Sequence, residues 1–479
     1  MIVTGETNDA QELVVSLTDS SIGTERVSPS RVGGKASSLA TLYSAEGLGS
    51  KVPKSHALTV DFFDPWVREL KSTDDFQSLS QAMNGSKKED QQETATAFCS
   101  KLQAASLELA LSEAQSGAIR ELVVAMNGCL AAVRSSAPEE DGSGASFAGA
   151  FETKLAVETT FEGLERAIKE CFASLWDYRV LLYKEKQFQD SSADNIGFAV
   201  VVMEMVDSVI AGVAFSANPL NSDRDEIVID SSWGLGESVV DGSVIADRYI
   251  VDKIQCGNVI EESIGTKGNE KRIGAAGVVE MPIKEEDPRY LQSSLSREQI
   301  QELSELVCLI EKTYGMPMDI EWAFVNDGEK KSSLKPRLLQ ARPITTLYSL
   351  DPNMMTEPGA KRNLYFDFNV VSEATTTSPF TTLDMDVYSK MTCSAIFGIS
   401  LEEQEKQGFS MFNYEDPRSF LYNGMTRQYT NFGWVLKYGD TKGLADVSET
   451  TKNITLSQET FSNRCLFPEF STLHSLFLF

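Results

Sequence analysis

The sequence predicts an α+β fold. Three observations carry it. Apolar stretches of strand character come in adjacent pairs, 198–206 with 209–215 and 318–325 with 338–344, as hairpins require. Helical stretches come in blocks between those pairs. No regular strand–helix–strand alternation runs along the chain, which disfavours a doubly wound parallel sheet.

The elements follow in order. Residues 32–66 hold Val-Gly-Gly-Lys-Ala, an apolar-periodic stretch, then Val52-Pro53 and Ala57-Leu58-Thr59-Val60, which predict a turn, a helix and a short strand. Residues 71–92 are polar and charged and predict a surface loop or a frayed helix. From Gln92 to Asn127 the composition is rich in Ala, Leu, Glu and Gln, and helix is expected. A short apolar run, 130–133, leads into a Ser/Gly stretch that is small and flexible over 142–149. Helical period returns over 161–187, with Leu164, Ile168, Phe172, Leu175 and Val180 on one side. The strands 198–206 and 209–215 are expected to form a hairpin turned by Asp207-Ser208, with further strands at 226–230 and 244–251. Residues 262–275, charged and Gly-rich, predict a loop. Ser296 opens a helix: Gln299 completes a capping-box pattern, Ile300, Leu303, Val307, Ile310 and Tyr314 form its apolar stripe, and Gly315 and Pro317 end it. The strands 318–325 and 338–344 flank a charged loop, 326–335. Residues 351–362, rich in Pro, Gly and polar side chains, mark the expected boundary between a domain at 1–350 and another at 351–479. The last stretch, 461–479, is apolar and aromatic without a period.

Composition narrows the function classes. The chain has 479 residues, with 43 basic and 70 acidic side chains and a net charge of -27. That balance argues against non-specific binding to nucleic acid or to an anionic membrane, both of which need a basic face. It leaves room for an anionic substrate in a locally basic pocket. The seven cysteines form no Cys-x-x-Cys pair, so zinc-ribbon and thioredoxin-like spacings are excluded and reduced, structural thiols are expected. With only two histidines, His56 and His474, a multi-histidine metal site is excluded. No apolar run approaches the length of a membrane span, and the N-terminus lacks a basic-then-apolar leader; a soluble, cytoplasmic protein is expected.

The common nucleotide motifs fail. Gly34-Lys35 is followed by Ala36 and has no glycine five positions before it, so it is not a Walker A loop. Neither 144–149 nor Gly234-Leu-Gly236 completes a dinucleotide-binding pattern. Gly33-Gly34-Lys35 admits two readings: a turn before a helix, or a close backbone approach with a lysine that reaches a phosphate. Arg134 ends an apolar strand and enters the Ser/Gly loop, either as a structural arginine or as a clamp on phosphate oxygens. Strand geometry puts Asp319 and Glu321 on one face and Ile320 and Trp322 on the other. Two carboxylates on one face repel unless a cation lies between them, and magnesium with a nucleotide suits that place. Gln340 and Arg342 repeat the spacing on the next strand. The alternative is the exposed face of an edge hairpin with a cross-strand ion pair. Glu237 lines a site or merely follows a tight turn. His56 reads as structural, and His474 has no assigned role.

In chain order these stretches are Val-Gly-Gly-Lys-Ala-Ser-Ser-Leu, Val-Pro followed by Ala-Leu-Thr, Val-Arg-Ser-Ser-Ala, Ser-Phe-Ala-Gly followed by Glu-Thr, Ala-Gly-Val-Ala-Phe-Ser-Ala-Asn-Pro, Trp-Gly-Leu-Gly-Glu, Asp-Ile-Glu-Trp-Ala and Leu-Gln-Ala-Arg-Pro-Ile. Over about residues 30–347 they resemble the ATP-binding domain shared by phosphoenolpyruvate synthase, pyruvate phosphate dikinase and rifampin phosphotransferase. The resemblance implies an ATP-grasp fold, with ATP held between two α+β lobes. It implies phosphate contacts at Lys35 and Arg134 and a phosphate-covering loop at Ser146, Phe147, Ala148 and Gly149. It implies magnesium at Glu321 and Gln340, an arginine beside the transferring phosphates at Arg342, and an adenine pocket at Glu204 and Met205. Residues 371–388, and Asn423-Gly424 through Tyr429-Thr430-Asn431, resemble the opening of the family's acceptor domain.

There are departures. Met203 stands where the family commonly has Gln, Ser55-His56 where it has Gly-Phe, and the loop between Ala323 and Leu338 is longer and more charged. The family's phosphohistidine lies in a Gly-rich segment, and neither His56 nor His474 has that setting. The chain is therefore read as an ATP site with part of an acceptor domain, apparently truncated. A histidine-bearing domain supplied downstream or in trans would complete it. The expected function is phosphoryl transfer from Mg2+-ATP to a small-molecule acceptor, such as pyruvate or a hydroxyl compound, giving AMP and phosphate. The rivals are an ATP-binding module without turnover and an ATP-grasp ligase that forms an acyl phosphate.

Overall fold

A computed structural model describes residues 12–347 except 20, 22, 84–87, 139–151, 188–196, 276 and 327–333, together with residue 354 and the segments 365–367, 421–424 and 427–431. The chain divides into two compact units, Met1–Pro219 with Glu226–Thr346, and Leu220–Asp225 with Leu347–Phe479.

The first unit begins with β1 (Val14–Ser16), the single turn α1 (Pro29–Val32), α2 (Gly34–Ser44) and β2 (Ser55–Leu58). A helical block follows: α3 (Val60–Lys71), α4 (Asp74–Met83), α5 (Lys88–Glu108) and α6 (Glu113–Met126). The helical stretch expected from Gln92 to Asn127 is divided between α5 and α6. Ser112 and Gln115 close a reciprocal capping box that starts α6, and Asn127 ends it in the left-handed region. Within the polar stretch 71–92, expected as a loop or a frayed helix, residues 74–83 are the helix α4, because one buried line suffices: Leu79 is in the core and Phe76 packs edge-on against Trp176. Then come β3 (Ala131–Ser135), β4 (Thr153–Val157), α7 (Phe161–Ala173), α8 (Tyr178–Gln187) and β5 (Val200–Glu204).

These five strands form one antiparallel sheet in the order β1-β2-β5-β3-β4. Its centre is covered on both faces. Val200 and Val202 of β5 join a core with Phe62, Phe63 and Trp66 of α3 and Phe172 of α7, while Val201 and Met203 join a second core with Leu39 and Leu42 of α2. Phe63 stacks on Phe172 with centroids 5.6 Å apart, and Phe198 meets Phe63 edge-on at 5.1 Å. Each such fully buried ring contributes about 1.5–3 kcal/mol by burial alone.

The rest of the unit is built on β6 (Ser208–Phe215), β7 (Glu226–Trp233), the turn α9 (Glu237–Val240), β8 (Asp247–Asp252), β9 (Val259–Ser263), β10 (Asn269–Gly274), β11 (Gly277–Pro282), α10 (Arg297–Tyr314), β12 (Met318–Asn326) and β13 (Leu334–Pro343). Six of these strands form an antiparallel sheet in the order β13-β12-β6-β7-β8-β9. Helix α10 starts at a complete Ser296/Gln299 capping box and ends at Gly315 in the left-handed region, and its buried stripe packs against Ile320 and Trp322.

Two expectations fail here. Strands 198–206 and 209–215 are not a hairpin. β5 has β2 on one edge and β3 on the other, and β6 has β12 and β7, so neither has an edge left for its neighbour in sequence. Residues 205–207 instead cross from one sheet to the other. The charged stretch 262–275 is also not simply a loop. It contains β10, paired with β11 from Asn269↔Pro282 to Gly274↔Gly277. Its polar residues form ladders of charge: buried Glu270 accepts from Arg272 and Arg289.

The described part of the second unit is an antiparallel sheet of β14 (Tyr365–Asp367), β15 (Leu421–Gly424) and β16 (Arg427–Asn431), in the order β14-β16-β15. No helix among the described residues is long and apolar enough to cross a membrane.

Candidate functional site

The site forms where the last strands of the second sheet meet β3 and the start of α2. Strand alternation sends Ile320 and Trp322 into the core and turns Asp319 and Glu321 to the opposite face. Antiparallel register sets Asp319 opposite Arg342 and Glu321 opposite Gln340. The register then shifts: Trp322 pairs with Leu338, so Leu339 is the extra residue of a bulge.

Arg134 of β3 enters this place from the first sheet. One terminal nitrogen donates to Glu321 Oε2 at 2.8 Å and to Gln340 Oε1 at 2.6 Å, and the other donates to the bulged Leu339 carbonyl at 3.1 Å. Its Nε, also buried, has no hydrogen-bond partner among the described residues. Glu321 thus has a protein cation against it in Arg134. Arg342 donates to Asp319 Oδ2 through Nε and a terminal nitrogen at 2.8 and 2.7 Å, the cross-strand pair that an edge hairpin also allows.

Lys35 is buried at the first turn of α2, and its Nζ donates to the Ser135 carbonyl at 3.0 Å. Its placement depends on a close approach of two backbones. A Cβ on Gly33, whose φ is +82°, would lie 1.7 Å from the Ser136 carbonyl oxygen. Gly34 N–H donates to the Ala137 carbonyl at 2.9 Å, and Ala36 N–H donates to Ser136 Oγ at 3.0 Å. At the far side of α2, Ser38 Oγ bonds Tyr314 and the Ala341 carbonyl. Helix α2 thus spans from the end of β3 to β13. Ser136 and Ser38 are structural pins that spacing alone does not reveal; the only hint is a small hydroxyl directly after Arg134-Ser135.

Electrostatics follow from these neighbours. Burial pushes the Glu321 carboxyl up, but Arg134, Lys35 and Arg342 outweigh it and hold it below the usual carboxylate range. Burial dominates at Asp319, whose carboxyl is raised despite Arg342, with Glu321 adding to the rise. Three cations thus meet two carboxylates in a chain whose net charge is -27. Among the described residues no group of three or more His, Cys, Asp and Glu side chains is placed to hold a metal ion.

The remaining candidates lie elsewhere. Glu204 and Met205 line a cavity of about 300 Å³ at the crossover between the sheets, with Pro53, Lys54, Asn326 and Arg337. None of Lys35, Arg134, Glu321, Gln340 and Arg342 lines that cavity. Glu237 lies 3.4 Å from Lys271 at the start of α9. His56 is buried in β2, where burial and the nearby Lys54 lower it to about 4. Ser146, Phe147, Ala148, Gly149 and His474 fall outside the described residues.

The family described as pyruvate phosphate dikinase, AMP/ATP-binding domain, is matched by residues 29–361. The chain belongs to that family. Arg134, Lys35 and the β12–β13 pair all lie within the matched stretch. A probable phosphoenolpyruvate synthase of Methanocaldococcus jannaschii is 34% identical over 322 residues, 66% of this chain and 25% of that protein. Rifampicin phosphotransferase of Streptomyces sviceus is 34% identical over 320 residues, 66% of this chain and 34% of its own length. Phosphoenolpyruvate synthase of Pyrococcus furiosus is 40% identical over 221 residues, 45% of this chain and 26% of that protein. The chain therefore spans about a quarter to a third of the length of these relatives.

Proposed function

We propose that this chain carries the Mg2+-ATP site of a dikinase-type phosphotransferase, built on an ATP-grasp arrangement of its two sheets. One observation carries the reading: oxygens of Glu321 and Gln340 converge on a single cationic nitrogen, Arg134, reached from the other sheet. That convergence suits magnesium. A carboxylate held ionised and an amide oxygen are hard donors, and magnesium takes few protein ligands when phosphates supply the rest. When bound, the ion would supply Lewis-acid polarisation of phosphate oxygens. Lys35, Arg134 and Arg342 neutralise the polyphosphate as charge shifts during transfer. The Arg134 Nε, without a partner among the described residues, offers a further donor. Ser146, Phe147, Ala148 and Gly149 cover the phosphates in this reading, and Glu204 and Met205 line the adenine.

The proposed reaction splits ATP to AMP, sends one phosphoryl group to a small acceptor such as pyruvate or a hydroxyl compound, and releases the other as phosphate. Residues 351–479 contribute to the acceptor domain, as part of a longer division of labour with 1–350. The phosphoryl carrier is a histidine-bearing domain from outside residues 29–361, and the setting is cytoplasmic, without nucleic-acid or membrane partners. His56 is no carrier, because it is buried and neutral in β2. That observation favours a second reading for residues 29–361 alone, ATP binding without turnover. Products separate the readings: AMP marks the dikinase, ADP an acyl-phosphate ligase, and no product the binding module.

The test is a calorimetric titration of the chain with ATP, with and without magnesium, beside Glu321→Ala. Magnesium-dependent binding that weakens at least ~10-fold in the variant is expected, since a charged hydrogen-bonding partner contributes about 1.5–3 kcal/mol. Absence of ATP binding by the folded wild-type chain would overturn the proposal.

A further inference from the structure

The described cysteines differ sharply in setting. Cys99 and Cys171 are buried, and burial pushes their thiols up to about 11 and about 12. Cys129 is exposed. Cys256 and Cys308 are both half-buried, and their sulfurs lie 3.4 Å apart.

They join two pieces of the second sheet's packing. Cys256 sits in the turn that follows β8, and Cys308 lies on α10, 52 residues later. The turn rests on that helix along one side. A Cβ on Gly257 would meet Gln301 Cβ at 2.9 Å, and buried Lys253 pairs with Glu311 at 2.7 Å and also donates to the Ser216 carbonyl. Gln301, Cys308 and Glu311 recur at helical spacing, so all three contacts fall on one strip of α10. Helix α10 in turn backs β12, sharing its core with Ile320 and Trp322. A disulfide needs its sulfurs at about 2.0 Å, so the pair must close by about 1.4 Å. Cys256 lies in a turn, beside Gly257 at a φ of +92°.

We propose that Cys256 and Cys308 are a modification site, forming a reversible disulfide by exchange with a low-molecular-weight disulfide of the glutathione class. The Cys256 sulfur attacks the small disulfide, whose S–S bond breaks and releases one thiol. The Cys308 sulfur then attacks the Cys256 sulfur of the mixed disulfide and releases the second thiol. The protein loses two hydrogens, and both leave on the two small thiols, so the oxidant is reduced by the two electrons the cysteines give up. Burial and the adjacent Cys256 hold the Cys308 thiol up at about 12. The link closes a long loop and ties the turn to the helix behind β12.

The test uses the full chain, reduced, desalted and treated with oxidised glutathione. Non-reducing peptide mapping is expected to find one cross-link, Cys256 to Cys308, reversed by dithiothreitol. The thermal midpoint is expected to rise by a few degrees on oxidation. Cys308→Ser removes the resolving sulfur, so a stable glutathione adduct at Cys256 is expected there. Wild-type chain in which both cysteines remain alkylatable, or in which either links to Cys393 or Cys465, overturns the proposal. The wild-type map decides the matter even where the variant fails to fold.

Discussion

Removal of the Arg134 guanidinium is the most informative perturbation of the site. Arg134→Met keeps the stem of the side chain and deletes three hydrogen bonds at once, to Glu321, Gln340 and the Leu339 carbonyl. The side chains of Arg134 and Glu321 are only 11% and 24% exposed, so water replaces little of what is lost. Stripping one partner from a buried ion pair costs about 3–5 kcal/mol. Lys35 and Arg342 still act on Glu321, and its partial exposure softens the penalty, so about 2–3 kcal/mol is expected. Glu321→Gln leaves Arg134 its two other acceptors, and about 1–2 kcal/mol is expected. The double variant should recover about 1 kcal/mol or more relative to the sum, because each single change already breaks the same contact. Urea unfolding of the full chain, followed by tryptophan fluorescence, reads all three values. Trp322 sits on the reverse face of the same strand and is fully buried, so its emission reports this region. Additivity of the two changes to within about 0.3 kcal/mol would refute the bridging role of Arg134.

Two further outcomes follow from the same geometry. Gly33→Ala would drive a Cβ into the Ser136 carbonyl at a φ of +82°, so a loss of at least ~2 kcal/mol in stability is expected, with ATP affinity falling alongside; a thermal melt and ATP titration indistinguishable from wild type would show that Lys35 is seated by something else. His56 titrates at about 4 when folded against 6.5 unfolded, so the unfolded chain binds more protons between those values, and stability should be full above pH ~6.5 and fall by up to about 3 kcal/mol as pH drops towards 4; urea midpoints of wild type and His56→Gln that decline in parallel from pH 7.5 to 5 would locate the acid sensitivity elsewhere.

What the sequence discloses depends on how local the cause is. The start and end of α10 are written in Ser296, Gln299 and Gly315, and all three act as their types require. The faces of β12 follow from alternation alone, with Ile320 and Trp322 inward. Pairing partners are another matter. Asp207-Ser208 looks like a hairpin turn, yet only the sheet edges occupied by β2, β3, β7 and β12 decide that β5 and β6 part there. The β10–β11 pair escapes notice because Glu270, Lys271 and Arg272 offer charge ladders in place of apolar alternation. At the site, Lys35, Arg134, Glu321, Gln340 and Arg342 are each legible as candidates. That Arg134 itself fills the place between Glu321 and Gln340 is not, since it depends on a bulge that frees the Leu339 carbonyl.

The strand order of the second sheet bears on how the chain is made. β6, β7, β8 and β9 emerge one after another and can pair as they appear. The other edge of β6 must wait: Met318 N–H bonds Ser216 Oγ, 102 residues earlier in the chain. During synthesis that edge stays open while β7 to α10 are added, a template for wrong partners until β12 arrives. Glu321 and Gln340, the acidic and amide side chains that bond Arg134 among the described residues, come with those late strands. A ribosome that stalls before Met318 would therefore release a chain with Lys35 and Arg134 in hand but without Glu321 and Gln340, and with the edge of β6 that β12 covers left bare for quality control to recognise.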